Sequence, residues 1–372
     1  MAKRELDPKL KELYNNNKKV YSISKLNTID NCLYEAYRTY VLHEKGKNGV
    51  YGILGGKIHD VLEKIVNGEA KCEDLPDALE AELAELDMLN IDFPKDAKGG
   101  DAIRNNYIVN MNHFCHNFTA PKGRFKTEEL VIYQVDEDRY LQGYIDLIRY
   151  NKNGSIDIYD WKTSAQFKKD ELIHHGRQLV FYAMAKEAEG FSVNKVAWIM
   201  LKYCEVSFKG KKRSNSKNRT DMTKIVERRN LIKDLRQYIL DDLFEAGYDE
   251  YDSEMMFSHA LKNNNFSNLP QEIQDNYKVK PYVREYELTD EIRQECLDYI
   301  NAKADLFESL DSENDEEWTH KPFKLETKNG KEKEDIFYCC SLCNHRETCK
   351  YIKEYKEQRD IVKEDDEFAD LF

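Results

Sequence analysis

The sequence predicts an α/β fold with a mixed central sheet flanked by helices. Three observations carry this. Between residues 128 and 164 the runs "EELVIYQV", "RYLQGYIDLIRY" and "SIDIYDWKTS" are short, rich in β-branched and aromatic residues, and separated by turn residues. "KDELIHHGRQLVFYAMAKEAEG" then has helical character and ends at Gly190, a C-terminal cap. "NKVAWIMLKYCEVSF" (194–208) returns to strand, so strands, helix and strand in that order place a crossover helix on one face of a sheet.

The remaining elements follow in chain order. Residues 1–20 read as a leader or one short helix. "SKLNTIDNCLYEAYRTYVLH" sets Leu26, Ile29, Leu33, Tyr37 and Tyr40 at helical spacing, with Ser24 as its cap. A glycine-rich break (46–56) precedes "GGKIHDVLEKIVNG", a helix bounded by glycines. "LPDALEAELAELDMLN" (75–90) has proline near its start, and 101–120 is also helical. Residues 209–280 read as an insertion with a basic loop, a helix around 222–246 and an Asn-rich stretch at 263–268. A strand at 282–289, a helix at 290–309, the acidic "DSENDEEW" (311–318) and a cysteine cluster (339–349) complete the chain. The expected division is a leader (1–20), a core with an N-terminal helical part (21–208), the insertion (209–280), a C-terminal part (281–352) and an acidic tail (353–372).

Composition narrows the class. Hydrophobic residues make up 41% of the 372, enough for a real core. No apolar run reaches the length of about 18 residues that a membrane span needs, and the polar start lacks a secretory signal. A cytoplasmic location is the expectation, where nine cysteines read as buried thiols or metal ligands rather than disulfides. The net charge of −13 argues mildly against a nucleic-acid partner, but it is an average that a local basic cleft escapes. "FKGKKRSNSKNRTDMTK" (208–224) is such a basic segment, read either as a solvated loop or as a phosphate contact beside the site. The tail "KEDDEFADLF" reads as a disordered, solubilising end.

Chemistry concentrates in the hairpin of residues 143–164. Lys152-Asn153-Gly154 is a three-residue loop with glycine last, which pairs Asn151 with Ser155 and sets the register. Asp146 then falls opposite Asp160, with Cβ atoms about 5 Å apart. Alternation puts Asp160 and Lys162 on one face. Two carboxylates this close repel unless a cation lies between them or one is protonated. A hard divalent ion such as Mg²⁺ or Mn²⁺ prefers such oxygens, and a lysine beside it can orient or activate a water and steady developing negative charge. The alternative is a solvent-facing hairpin with a weak Asp–Lys pair. His59 lies on a helix beside glycines, and Gln178 and Tyr182 lie four apart on one helical face; alone, each reads equally as a structural residue.

Together, "GGKIH", "GYID", "DWKTS" and "RQLVFY" resemble the PD-(D/E)XK nuclease superfamily, most of all its RecB-like exonuclease branch, from Ser24 to about Phe208. The resemblance implies a restriction-endonuclease-like fold. It also implies metal ligation by His59, Asp146, Asp160 and the carbonyl of Trp161, with Lys162 as the catalytic lysine. Gln178 and Tyr182 would line the site against the DNA strand, and either Glu128 or Glu129 would add an acid. A metal-dependent exonuclease on single-stranded or end-processed DNA, leaving 5′-phosphate ends, is the expected activity, in replication, recombination or repair. A catalytically silent DNA-binding scaffold and a structure-specific endonuclease are the alternatives. No P-loop is present, so a helicase, recombinase or single-strand-binding protein would be a separate partner. Abundant Lys, Asn, Ile and Tyr suit an AT-rich bacterial or phage genome.

"CSLCNHRETC" supplies three thiols, Cys340, Cys343 and Cys349, where a tetrahedral or cubane site takes four. The same resemblance, to the iron–sulfur members of that branch, adds Cys32 and implies a structural 4Fe-4S cluster, although Leu33 stands where such relatives often have proline. Zinc, with His345 or Cys339 as a ligand, is the alternative. Cys72, Cys115, Cys204 and Cys296 have no partner spacing.

Overall fold

A computed structural model of the chain describes residues 6–96, 98–212, 219–326 and 329–369. Residues 213–218 of the basic segment, read either as a solvated loop or as a phosphate contact, and the end of the acidic tail (370–372) lie outside these residues.

The N-terminal part runs α1 (Pro8–Asn15), β1 (Lys19–Tyr21), α2 (Ile23–Asn31) and the short α3 (Leu33–Ala36), which widens into a π-turn at Tyr37–Val41. Ser22, not Ser24, caps α2: its hydroxyl accepts from Lys25 N at 3.1 Å. The expected single helix breaks at Cys32, where the backbone is extended (φ −159°, ψ 107°). Helices α4 (Val50–Val66), α5 (Asp74–Met88) and α6 (Ala102–Asn117) follow. Helix α4 runs through Gly52, Gly55 and Gly56 instead of starting after them, because Val50, Leu54, Ile58 and Leu62 keep one continuous buried stripe.

The sheet then builds up from β2 (Arg124–Gln134), β3 (Arg139–Tyr150), β4 (Ile156–Lys162), the crossover α7 (Leu172–Ala188) and β5 (Val193–Lys212). As the order of elements predicts, β4 and β5 are parallel, while β3 and β4 are antiparallel. The chain continues through β6 (Arg219–Glu227), α8 (Leu231–Asp234), α9 (Arg236–Glu245), α10 (Glu250–Asn263), α11 (Gln271–Gln274), β7 (Lys278–Tyr286) and α12 (Asp290–Ser309). It ends in a small hairpin of β8 (Lys324–Glu326) and β9 (Glu332–Glu334), then α13 (Lys350–Ala369). Seven strands form one mixed sheet in the order β1-β3-β4-β5-β6, with β2 joined to β3 and β7 to β5. The architecture is α/β, a central mixed sheet flanked by helices.

Two departures have local causes. The helix expected from 222 begins as strand β6, because its residues pair with β5 from Tyr203↔Glu227 to Lys212↔Arg219. The tail expected to be disordered is helical to Ala369; it is rich in Lys and Glu and holds neither Pro nor Gly.

Three cores result. Helices α2, α7 and α12 cover one face of the sheet through Leu26, Leu179, Phe181 and Ile300. Helices α4, α5 and α6 cover the other through Leu54, Ile58, Leu79 and Phe114. The outer half of β5, with β6 and α8–α11, encloses a third around Val206, Leu235, Leu243 and Phe257. The segment from β6 to α11 therefore has its own apolar centre and shares β5 with the main sheet.

Candidate active site

The hairpin loop closes as its residues require. Gly154 sits at φ +86°, a conformation costly for a side-chain-bearing residue, and Asn151 N donates to Ser155 O at 2.9 Å. The ladder pairs Tyr150 with Ile156 and Leu147 with Tyr159. The ladder ends there, and the expected Asp146–Asp160 pair, one step further, is not part of it. The bond there involves a side chain: Trp161 N donates to Asp146 Oδ2 at 2.8 Å.

The strands are irregular at this step. Val131, Leu141 and Ile145 face the first core, whereas Leu147 faces the second. The inversion falls where Glu128, at φ +48°, drops out of the β2–β3 ladder opposite Asp146. A left-handed glutamate is strained, and such strain gathers at functional sites. The structure also separates the two glutamates. Glu129 is held by Lys186 at 2.9 Å and Lys126 at 3.4 Å, whereas the charge of Glu128 acts on Asp146.

Around the pair, Asp160 is 1% exposed and Asp146 8%. The Lys162 ammonium lies 2.6 Å from Asp160 Oδ2, yet that oxygen accepts no well-directed hydrogen bond among the described residues. Lys162 Nζ donates to Gln178 Oε1 at 3.3 Å, Gln178 Nε2 to Tyr182 OH at 2.8 Å, and Tyr182 OH to Tyr144 O at 2.6 Å. Gly143 allows that last approach, since a Cβ there would lie 2.9 Å from Phe181 Cε1 and 3.0 Å from Tyr182 Cε1. From the opposite side, α4 brings His59 Nδ1 to 3.4 Å from Asp146 Oδ2, with its ring edge-on to Trp161 at 5.7 Å. The hairpin, α4 and α7 thus converge on one point. The structure brings together His59, Asp146, Asp160, Trp161, Lys162, Gln178 and Tyr182.

Burial, then the charge of Asp160, pushes the Asp146 carboxyl well above the ordinary range; Lys162 and the Trp161 amide offset this only in part. Burial works against the Lys162 ammonium, but Asp160 and Asp146 outweigh it, so Lys162 holds its proton more tightly than a free lysine. Burial keeps His59 below its usual value despite the nearby Asp160. The pocket therefore holds two acids and one firm cation. Among the described residues, no three His, Cys, Asp or Glu side chains close into a metal-holding group. The under-bonded Asp160 oxygen and the raised Asp146 nevertheless fit a site that a divalent cation completes.

Sequence reading missed one neighbour. His175 lies one turn before Gln178 on the same face of α7, its ring stacked on Phe167 at 3.8 Å and 18°. Burial, then His174 and Lys162, brings it down to about 4. The 175/178/182 spacing was the available signal.

The thiols group differently from expectation. Cys32, Cys339, Cys343 and Cys349 line one small cavity of about 20 Å³. Cys340, expected in this set, instead lines a larger cavity of about 510 Å³ beside the start of α4. The π-turn at Tyr338–Leu342 is the reason, because it puts Cys339 and Cys343, four apart, on one side. The Cys32 sulfur faces the backbone N–H groups of Glu35 and Lys321, and His345 N donates to Cys343 Sγ at 3.4 Å. N–H groups aimed at sulfur suit bound thiolates. Burial raises the Cys32 and Cys343 thiols and holds Cys339 up to about 12, so a metal would have to displace protons. Cys115, Cys204 and Cys296 are buried elsewhere.

An α/β sheet carrying an acid pair and a lysine at the end of a strand hairpin defines a class of phosphodiester-cleaving proteins. Residues 20–350 match the PD-(D/E)XK nuclease superfamily, and the chain belongs to it. No curated protein matches the chain. Nucleases of this superfamily generally use divalent metals such as Mg²⁺ or Mn²⁺. Among the described residues no helix is long and apolar enough to cross a membrane.

Proposed function

We propose that the chain is a metal-dependent DNA nuclease acting from ends, on single-stranded or end-processed DNA, and leaving 5′-phosphate ends. The observation that carries this is the buried Asp146–Asp160 pair with Lys162 fixed beside it. His59, Asp146, Asp160 and the Trp161 carbonyl would hold Mg²⁺ or Mn²⁺, with Glu128 rather than Glu129 as the further acid. The ion would polarise the scissile phosphate and make a water acidic enough to attack. The chain's own residues do the rest. Lys162, an ammonium beside the two acids, would meet the charge that builds on the phosphate. Gln178 fixes that ammonium, and Tyr182 anchors Gln178 to the Tyr144 carbonyl, so a lysine of many rotamers presents one.

The test uses end-labelled linear DNA and covalently closed circles with Mn²⁺. Degradation of linear strands with circles left whole supports an exonuclease; cutting of circles supports the structure-specific endonuclease. A wild-type protein that binds DNA but leaves every substrate intact supports the silent scaffold. A helicase, recombinase or single-strand-binding protein that exposes or covers single strands would be a fitting partner.

The thiol cavity supports a second, structural cofactor. Cys32, Cys343 and Cys349 would be ligands of a 4Fe-4S cluster in either grouping; Cys340 fits the sequence spacing and Cys339 the cavity lining. Brown protein absorbing at about 400 nm supports the cluster, and colourless protein with bound zinc supports the alternative.

A further inference from the structure

On the far side of α6, where the insertion meets the main sheet, lies a cavity of about 310 Å³ with unusual polar lining. Arg228, just after β6, is 4% exposed. Its Nε donates to Leu201 O at 2.7 Å and its guanidinium carbon lies 5.3 Å from the Phe114 ring centre. Its terminal nitrogens meet no acceptor, and it has no carboxylate partner, among the described residues. Burial lowers it, and the groups favouring its charge are the Cys204 and Cys115 thiols, with no acid among them. His113, from α6, lines the same space, and neither ring nitrogen has a hydrogen-bond partner in good geometry. Burial and Arg228 bring His113 to about 4, although the Asn264 backbone favours its charged form, so the ring is neutral and a ligand would compete with that backbone for its one N–H. Lys280 at the rim is already engaged by Glu205 at 2.9 Å.

A buried guanidinium without a counter-charge is costly, and proteins supply one. Here unsatisfied donors converge on open space, and none of the acid-site residues takes part. The other walls are aromatic: Phe118 and Phe266 line the cavity, and Phe266 is stacked on Tyr277 at 4.8 Å and 18°. An apolar cavity of about 270 Å³ adjoins, sharing Phe114 and Phe118 and reaching the back of Trp161. The size suits a small molecule.

We propose that this cavity is a nucleotide-binding site, with a phosphate on Arg228 and His113 and a base against Phe118 and Phe266. That the ligand is an anion follows from the donors alone; that it is a nucleotide rests also on the nuclease reading, since nucleotides are the products of such an enzyme. A guanidinium fork and an imidazole N–H match phosphate oxygens, and flat rings match a base face.

Calorimetric titration of the whole chain in metal-free buffer tests this, because without metal the acid site lacks the ion through which it would hold a phosphate. Deoxyadenosine monophosphate is expected to bind, with adenosine and inorganic phosphate each weaker by roughly tenfold or more. Lys162→Met, which removes the ammonium beside the acid pair, is expected to bind as wild type does, whereas His113→Ala and Arg228→Met lose roughly tenfold. If Arg228→Met does not fold, His113→Ala alone decides. Adenosine or inorganic phosphate binding as tightly as the nucleotide, no binding at all, or undiminished binding by His113→Ala overturns the proposal. Because the readout is binding, a protein inert toward DNA would leave this result intact, and the two readings fail separately.

Discussion

Removing one oxygen charge from the acid pair should abolish metal binding, while removing the lysine should not. Asp160→Asn keeps the shape of a side chain that is 1% exposed and takes away the charge facing both Asp146 and Lys162. A ligand held only by the folded chain at a hundred times its dissociation constant stabilises by about 2.7 kcal/mol. For 372 residues the unfolding entropy is about 0.8 kcal/mol per kelvin, so Mn²⁺ at that level should raise the wild-type melting temperature by about 3 °C. Asp160→Asn should show no rise. Lys162→Met should keep the rise, because the ammonium 2.6 Å from Asp160 Oδ2 competes with the metal for that oxygen. It should still cut linear DNA slower by roughly a hundredfold or more, having lost charge aimed at the reacting phosphate. Scanning calorimetry with and without Mn²⁺, beside a gel assay on labelled DNA, reads both effects. A full metal shift in Asp160→Asn, or its loss in Lys162→Met, would refute the assignment of the acids to the metal and the lysine to the phosphate.

Further outcomes follow from the same geometry. Glu128→Gln should lower cleavage with little change in stability, whereas Glu129→Gln should cost about 1–3 kcal/mol in urea denaturation, because it weakens the hold on Lys186, which is 1% exposed; the reverse pattern would exchange their roles. Gly143→Ala forces a Cβ against Phe181 and Tyr182 and should destabilise by about 1–3 kcal/mol while slowing cleavage through the displaced Tyr182–Gln178–Lys162 chain; unaltered melting and rate would contradict this. The folded Asp146 carboxyl lies above its unfolded value, so in metal-free protein its proton stabilises at low pH, and this is lost as pH rises through the folded value. Metal competes with that proton, so Mn²⁺ affinity should climb through the same window with proton release, read by calorimetry in two buffers; affinity flat with pH counts against it. Cys32→Ala and Cys343→Ala should lose bound iron or zinc by elemental analysis, and Cys72→Ala should not; equal metal content in all three removes the thiol cavity as its location.

Much of the site was legible because it is local. An Asn-Gly loop and a period of two fix the hairpin within 22 residues, so the apposition of Asp146 and Asp160 followed from the sequence with no tertiary knowledge. Gln178 and Tyr182 needed only the pitch of a helix. What failed to show depends on distant partners. Glu128 and Glu129 are identical in the sequence, and only the inversion of β2 against β3, with Lys186 arriving from α7, tells them apart. Met222 to Glu227 read as helix until β5 offers a ladder. Arg228 gives no sign in the sequence that its charge ends up buried without an acid.

The C-terminal segment also fixes when the molecule can become complete. Lys47 N donates to Asn344 O at 2.8 Å and Arg346 Nη1 to Lys47 O at 2.7 Å, 299 positions apart; Tyr34 N donates to Thr319 O at 3.0 Å, and Tyr338 OH to Glu35 at 2.6 Å. These bonds brace the stretch leading into the helix that carries His59. During synthesis the ribosome delivers the acids and the lysine long before the segment that steadies that histidine. The nascent chain is thus expected to stay inert toward nucleic acid nearby until Asn344 and Arg346 have emerged.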